Sequence, residues 1–90
     1  MTVLREYIRV PAGTRERFTV VRMGVAFGSV VAEGDVLLEL RAGSDRQLTA
    51  IQAPSAGRVE RMHVRVGEEV YGGDLVLILE SPAATPSRHG

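Results

Sequence analysis

Residues 20–41 read VVRMGVAFGSVVAEGDVLLELR, and residues 59–80 read VERMHVRVGEEVYGGDLVLILE. Laid on each other at an offset of 39 residues, with no gap, they are identical at 10 of 22 positions. The matches include Arg22/Arg61, Met23/Met62, Gly28/Gly67, Val31/Val70, Gly34-Asp35/Gly73-Asp74, Leu38/Leu77 and Leu40/Leu79. Self-similarity at a fixed offset marks a repeated structural unit. Two copies are too few for a solenoid and point to one closed, pseudo-two-fold domain. Between them lies RAGSDRQLTAIQAP, residues 41–54, a turn-rich centre that leads into a strand.

The composition narrows the class. Ninety residues suit one domain with a thin core. The chain is 44% apolar but only 4% aromatic and has no Trp, so the core is aliphatic, chiefly Val, Leu and Ile, which favours strands. The formal charge is zero, which argues against a surface driven to phosphates by bulk charge. All 11 basic residues are Arg, and no Lys occurs. Without Cys, disulfides and thiolate metal sites are excluded. No apolar run approaches the roughly 18 residues of a spanning helix, and no signal-peptide pattern opens the chain. The expectation is a cytoplasmic protein without membrane insertion.

Period-two alternation recurs along the chain. Residues 3–10, VLREYIRV, predict a strand with Leu4, Ile8 and Val10 facing inward. Residues 18–25 predict a second, in which Gly24 marks a bulge or a close backbone approach. Around residues 27–31 a tight turn with positive φ at Gly28 is expected, and Gly34-Asp35 makes another. Residues 36–40 and 75–79 place Val36, Leu38 and Leu40, and Leu75, Leu77 and Leu79, on one buried face. Residues 42–45, AGSD, are a hairpin signal, 47–53 the returning strand, and 59–66 the next. The count is seven or eight short strands with no helical period, an all-β sandwich or small barrel. The repeat predicts two similar sheets, one per copy. The domain is expected over 1–80, with 81–90, an Ala- and Pro-containing stretch, as a disordered tail or linker.

No catalytic constellation stands out. His63 reads as a structural residue and His89 lies in the tail; two histidines so placed, without Cys, do not make a metal site. Asp35 and Asp74 follow Gly in duplicated turns, which argues for side chains capping their own backbone rather than for acid–base chemistry. Glu68-Glu69 reads as a solvated loop, and Ser44 and Ser55 lack His and acid companions. Few aromatics and balanced charge leave little for nucleic-acid binding.

The chain resembles the biotinyl/lipoyl domain family, and most closely the lipoyl domains of 2-oxoacid dehydrogenase acyltransferase subunits. The resemblance rests on Val10-Pro11, Gly28-x-x-Val31-x-x-Gly34-Asp35, Leu37-Leu38-Glu39-Leu40 and Ala53-Pro54-x-x-Gly57-x-Val59. It continues through Val64-x-Val66-Gly67-x-x-Val70-x-x-Gly73-Asp74 and Leu77-x-Leu79-Glu80. It implies a flattened β-barrel, a barrel-sandwich hybrid of two four-stranded antiparallel sheets with quasi-two-fold symmetry. In the family a modified Lys sits at the tip of the central hairpin. Counting back from Pro54, that place falls on Arg46, at the tip formed with Gly43, Ser44 and Asp45, in a hairpin about two residues longer than the usual lipoyl one.

Lipoyl or biotin attachment makes an amide and needs a primary amine; a guanidinium, protonated up to a pKa above about 12, is a poor acyl acceptor. No cofactor is therefore expected on these residues, and lipoyl or biotinyl only on a native chain with Lys at the Arg46 position. With no lysine to modify, the expectation is a non-catalytic protein-interaction or structural module, and the resemblance implies a protein partner, a multienzyme complex or a carboxylase or dehydrogenase subunit. The alternative is a swinging-arm acyl or carboxyl carrier whose lysine is replaced by Arg46. Arg46 itself is expected either to be a solvated charge or to meet an acidic partner through its planar fork.

Overall fold

Short runs of Val, Leu and Ile alternating with charged residues fit a pleated, half-buried surface, and the chain is extended wherever they occur. A computed structural model describes residues 3–12, 17–43 and 47–82. It contains β1 (Val3–Arg9), β2 (Arg17–Met23), β3 (Val30–Val31), β4 (Val36–Ala42), β5 (Leu48–Gln52), β6 (Gly57–Met62), β7 (Glu69–Tyr71) and β8 (Leu75–Pro82). They form two four-stranded antiparallel sheets, ordered β1-β8-β6-β3 and β5-β4-β2-β7. This is the all-β, two-sheet architecture the sequence predicts. The last strand runs to Pro82, past the expected end at residue 79, and 83–90 lie outside the described residues.

One expectation is corrected: the sheets are not one per copy. The first copy supplies β2 and β4 to one sheet but sends β3 to the other, and the second copy returns β7 in exchange. The two-residue β3 pairs Val30 with Arg58 and Val31 with Gly57, and β7 pairs Val70 with Phe18. Strands this short carry no alternation of their own, so the sequence showed them only as turns.

The turns repeat bond for bond. The Gly28 N–H donates to the Val59 carbonyl at 2.8 Å, and its mate Gly67 donates to Val20 at 2.7 Å. Val10 N–H donates to Asp74 O at 2.9 Å, and Ala53 N–H to Asp35 O at 2.8 Å. Gly28 has φ of 85° and Gly67 of 93°, the left-handed conformation expected of this turn.

The core is aliphatic. Leu37, Leu38, Leu40, Val20, Val76 and Leu77 are wholly buried, with Val10, Val59 and Leu79 almost so. Leu38, Leu40, Leu77 and Leu79 confirm the predicted phase, while Val36 and Leu75 are only half-buried. The added pair is Leu37 and Val76, buried because the register shifts there: Val36 faces Gln52 but Leu38 faces Ile51, and Ile8 faces Leu77 but Arg9 faces Leu75. A bulge lets two successive side chains point inward. Leu4 is exposed rather than inward. It faces Ser81, and beyond Ser81 stands Gly57, which has no side chain to cover it.

Gly24 makes the predicted close approach. Its N–H donates to Leu37 O at 2.8 Å, and a Cβ there would lie 2.6 Å from the Val36 carbonyl oxygen. The mate, His63, makes the equivalent bond to Val76 O at 2.8 Å while carrying a side chain. Gly24→Ala is therefore expected to cost about 2 kcal/mol, because backbone must shift, whereas His63→Ala stays within about 0.5 kcal/mol. Urea unfolding of the two variants checks this; equal midpoints would refute the clash.

Candidate functional site

The central hairpin is built from the inside outward. β4 and β5 pair Leu38 with Ile51, Leu40 with Thr49 and Arg41 with Leu48, so buried leucines fix the register at the base. Phe18, buried beneath, lies opposite Ala42 on one side and Val70 on the other. The Gly43 N–H donates to Arg17 O at 2.9 Å, and Gly43 turns the chain with φ of 44°. Arg41, Gly43, Leu48, Thr49 and Ala50 are exposed around it. Ser44, Asp45 and Arg46, the predicted tip, lie outside the described residues. What is described is the stem, two paired strands anchored by core leucines.

The other candidates are separated. Asp35 accepts from the Ala32 N–H at 2.8 Å through Oδ2, and Asp74 from the Tyr71 N–H at 2.9 Å. Both are turn caps, as the repeat predicts. Each Asp→Ala change should cost about 1 kcal/mol, and the double variant about twice that, since the two turns share no partner. Thermal denaturation of the three variants tests additivity; a synergistic double loss would mean the caps are coupled.

Glu68 differs from its expectation: its Oε1 accepts from the Arg65 N–H at 2.9 Å, the place Ser29 Oγ takes on Ala26 N–H. Glu69 opens β7 and lies 3.7 Å from Arg17. The cap was findable, because Ser29 is the repeat mate of Glu68. Ser55 Oγ donates to Glu6 Oε1, a carboxylate with no imidazole in the arrangement. His63 is exposed just after β6, and His89 lies outside the described residues. Among the described residues no group of three or more His, Cys, Asp or Glu is placed to hold a metal. On the outer face Arg5 Nε meets Glu60 at 2.8 Å, and this contact holds the Glu60 carboxyl below its ordinary range.

Two interlocked four-stranded antiparallel sheets define a class: barrel-sandwich domains. A family model described as "Biotin-requiring enzyme", for the biotin/lipoyl family, matches residues 6–79. The chain is 35% identical over 81 residues to the dihydrolipoyllysine-residue acetyltransferase component of the pyruvate dehydrogenase complex of Pseudomonas aeruginosa, covering 89% of this chain and 14% of that protein. The same component from Cupriavidus necator is 32% identical over 79 residues, covering 87% of this chain and 14% of that protein. Pyruvate carboxylase of Bacillus subtilis is 36% identical over 62 residues, covering 69% of this chain and 5% of the enzyme. A solved structure of a single-chain, multi-domain long-chain acyl-CoA carboxylase superposes with a TM-score of 0.71 at 24% identity, over 91% of this chain and 7% of that one, which bears on the fold. The chain belongs to the biotin/lipoyl family. It spans only a small part of each of these relatives.

Proposed function

We propose that this domain is a lipoyl/biotinyl-type module that works through protein contacts rather than by carrying a swinging arm. One observation carries the reading: none of the 90 residues is a lysine, so no side chain offers the primary amine that an acyl or carboxyl arm requires. Counted from Pro54, the family's lysine position falls on Arg46. Its partners are subunits of a dehydrogenase or carboxylase assembly, the kind of protein in which the relatives' matching segments occur.

A second reading has its own support, since relatives are named for a dihydrolipoyllysine residue and for carboxylation. In that reading the domain is a carrier and Arg46 stands where the native chain has Lys. The intact mass of the protein from its source cells, with a peptide map over residues 40–54, separates the two. An unmodified mass with Arg at 46 is the expected result. A lipoyl- or biotin-sized increment on a lysine at that position would overturn it.

A further inference from the structure

The two halves of this fold control for each other. A contact made at both repeat mates serves folding, and a charged residue that is kept in one half without its contact needs a further reason. On the sheet built from β4 and β2, Arg22 and Glu39 face each other across the strands and their charges lie 3.6 Å apart. Their mates on β6 and β8 are Arg61 and Ile78, again directly opposite, but the carboxylate is gone. Arg61 is exposed and has neither ion pair nor hydrogen bond among the described residues. Its neighbour Glu60 is already held by Arg5.

What surrounds Arg61 is a surface groove of about 460 Å³ lined also by Tyr7, His63, Leu75 and Ile78. Tyr7 is 56% exposed and lies opposite Ile78 on the other side. One row thus crosses three strands as aromatic, aliphatic and cation: Tyr7, Ile78, Arg61. Arg5 and Arg61 against Glu60 leave the groove with one net positive charge, on a chain whose formal charge is zero.

We infer that this row docks an acidic and apolar segment of a partner protein. A partner carboxylate takes on Arg61 the place that Glu39 holds on Arg22, and an apolar side chain beside it covers Ile78 and Tyr7. The planar guanidinium fork suits a carboxylate, and the exposed ring supplies apolar area at low entropic cost. The assignment does not depend on the hairpin tip, so it stands whether or not residue 46 carries a group. A single-stranded nucleic acid would also meet Arg and Tyr, but one net charge is a poor match for a phosphate chain.

The test is a titration of the isotope-labelled chain, followed by NMR, with a blocked octapeptide of alternating Glu and Leu, and with the same peptide carrying Gln for Glu. The expected result is shifts centred on Tyr7, Arg61, His63 and Ile78 that weaken as salt is raised. Affinity should fall about fivefold in Arg61→Gln, the scale of one exposed ion pair. It should be unchanged in Arg41→Gln, an arginine at the hairpin base that is equally unpaired among the described residues. The Gln peptide should not bind. Arg61 is exposed, so its variant keeps the parent's spectrum away from the groove. Equal affinity in Arg61→Gln, shifts centred on residues 41–48, or no shift at millimolar peptide would overturn the inference. So would an oligonucleotide that shifts these residues while the peptide does not.

Discussion

Leu77→Ala should remove about 3 kcal/mol of stability and lower the midpoint of thermal unfolding by roughly 15 °C. Leu77 is wholly buried in the middle of β8, between Ile8 on β1 and Met62 on β6. Deleting its methyl groups forfeits their transfer energy and leaves a cavity. A thin sandwich closed on both faces by strands has little freedom to collapse into such a space. Small domains have only about 5–15 kcal/mol in total, so this one change takes a large share. Leu38 is its repeat mate, equally buried and set between Met23 and Ile51. Leu38→Ala should match Leu77→Ala within about 1 kcal/mol. Urea unfolding of both reads the result directly. A cost below about 1 kcal/mol at either site would mean the packing is looser than the burial indicates.

The second large effect is all or none. Incubated with a lipoyl or biotin ligase, ATP and the free acid, the parent chain should gain no mass, and Arg46→Lys should gain a single increment. Amide formation needs a nitrogen that can lose a proton and attack an activated acyl group. An amine with a pKa near 10.4 does so when desolvated, whereas a guanidinium stays charged and delocalised. The strands on either side of residue 46, β4 and β5, are already fixed by Leu38, Leu40 and Phe18. If Arg46→Lys also stays unmodified, the longer turn has lost ligase recognition along with the amine. The reading of a carrier altered at one residue then fails.

Much of this fold was legible because it is written twice. Gly28 and Gly67, or Asp35 and Asp74, are ordinary turn residues singly; in register at a fixed offset they define a closed unit. The phase of Leu38, Leu40, Leu77 and Leu79 could be read from alternation. The burial of Leu37 and Val76 could not, because a bulge is decided by the strand across the sheet rather than by the residue itself. The exchange of β3 and β7 was hidden for a related reason: two or three residues hold no period. At the site, Ala42-Gly43-Ser44-Asp45 signalled the hairpin that joins β4 to β5. The open Arg61 escaped notice: the repeat sets Ile78 against Glu39, but only the strand pairing shows that these positions face Arg61 and Arg22.

The exchanged short strands also bear on how the chain can be divided. Each half lends a strand to the sheet of the other, so neither half closes its own core. That is also the geometry of an intertwined dimer of two half-length chains joined end to end. The join falls in the central hairpin, the one stretch that the symmetry does not require to have any particular sequence. A chain cut there should give two fragments, inert apart, that recombine into the whole.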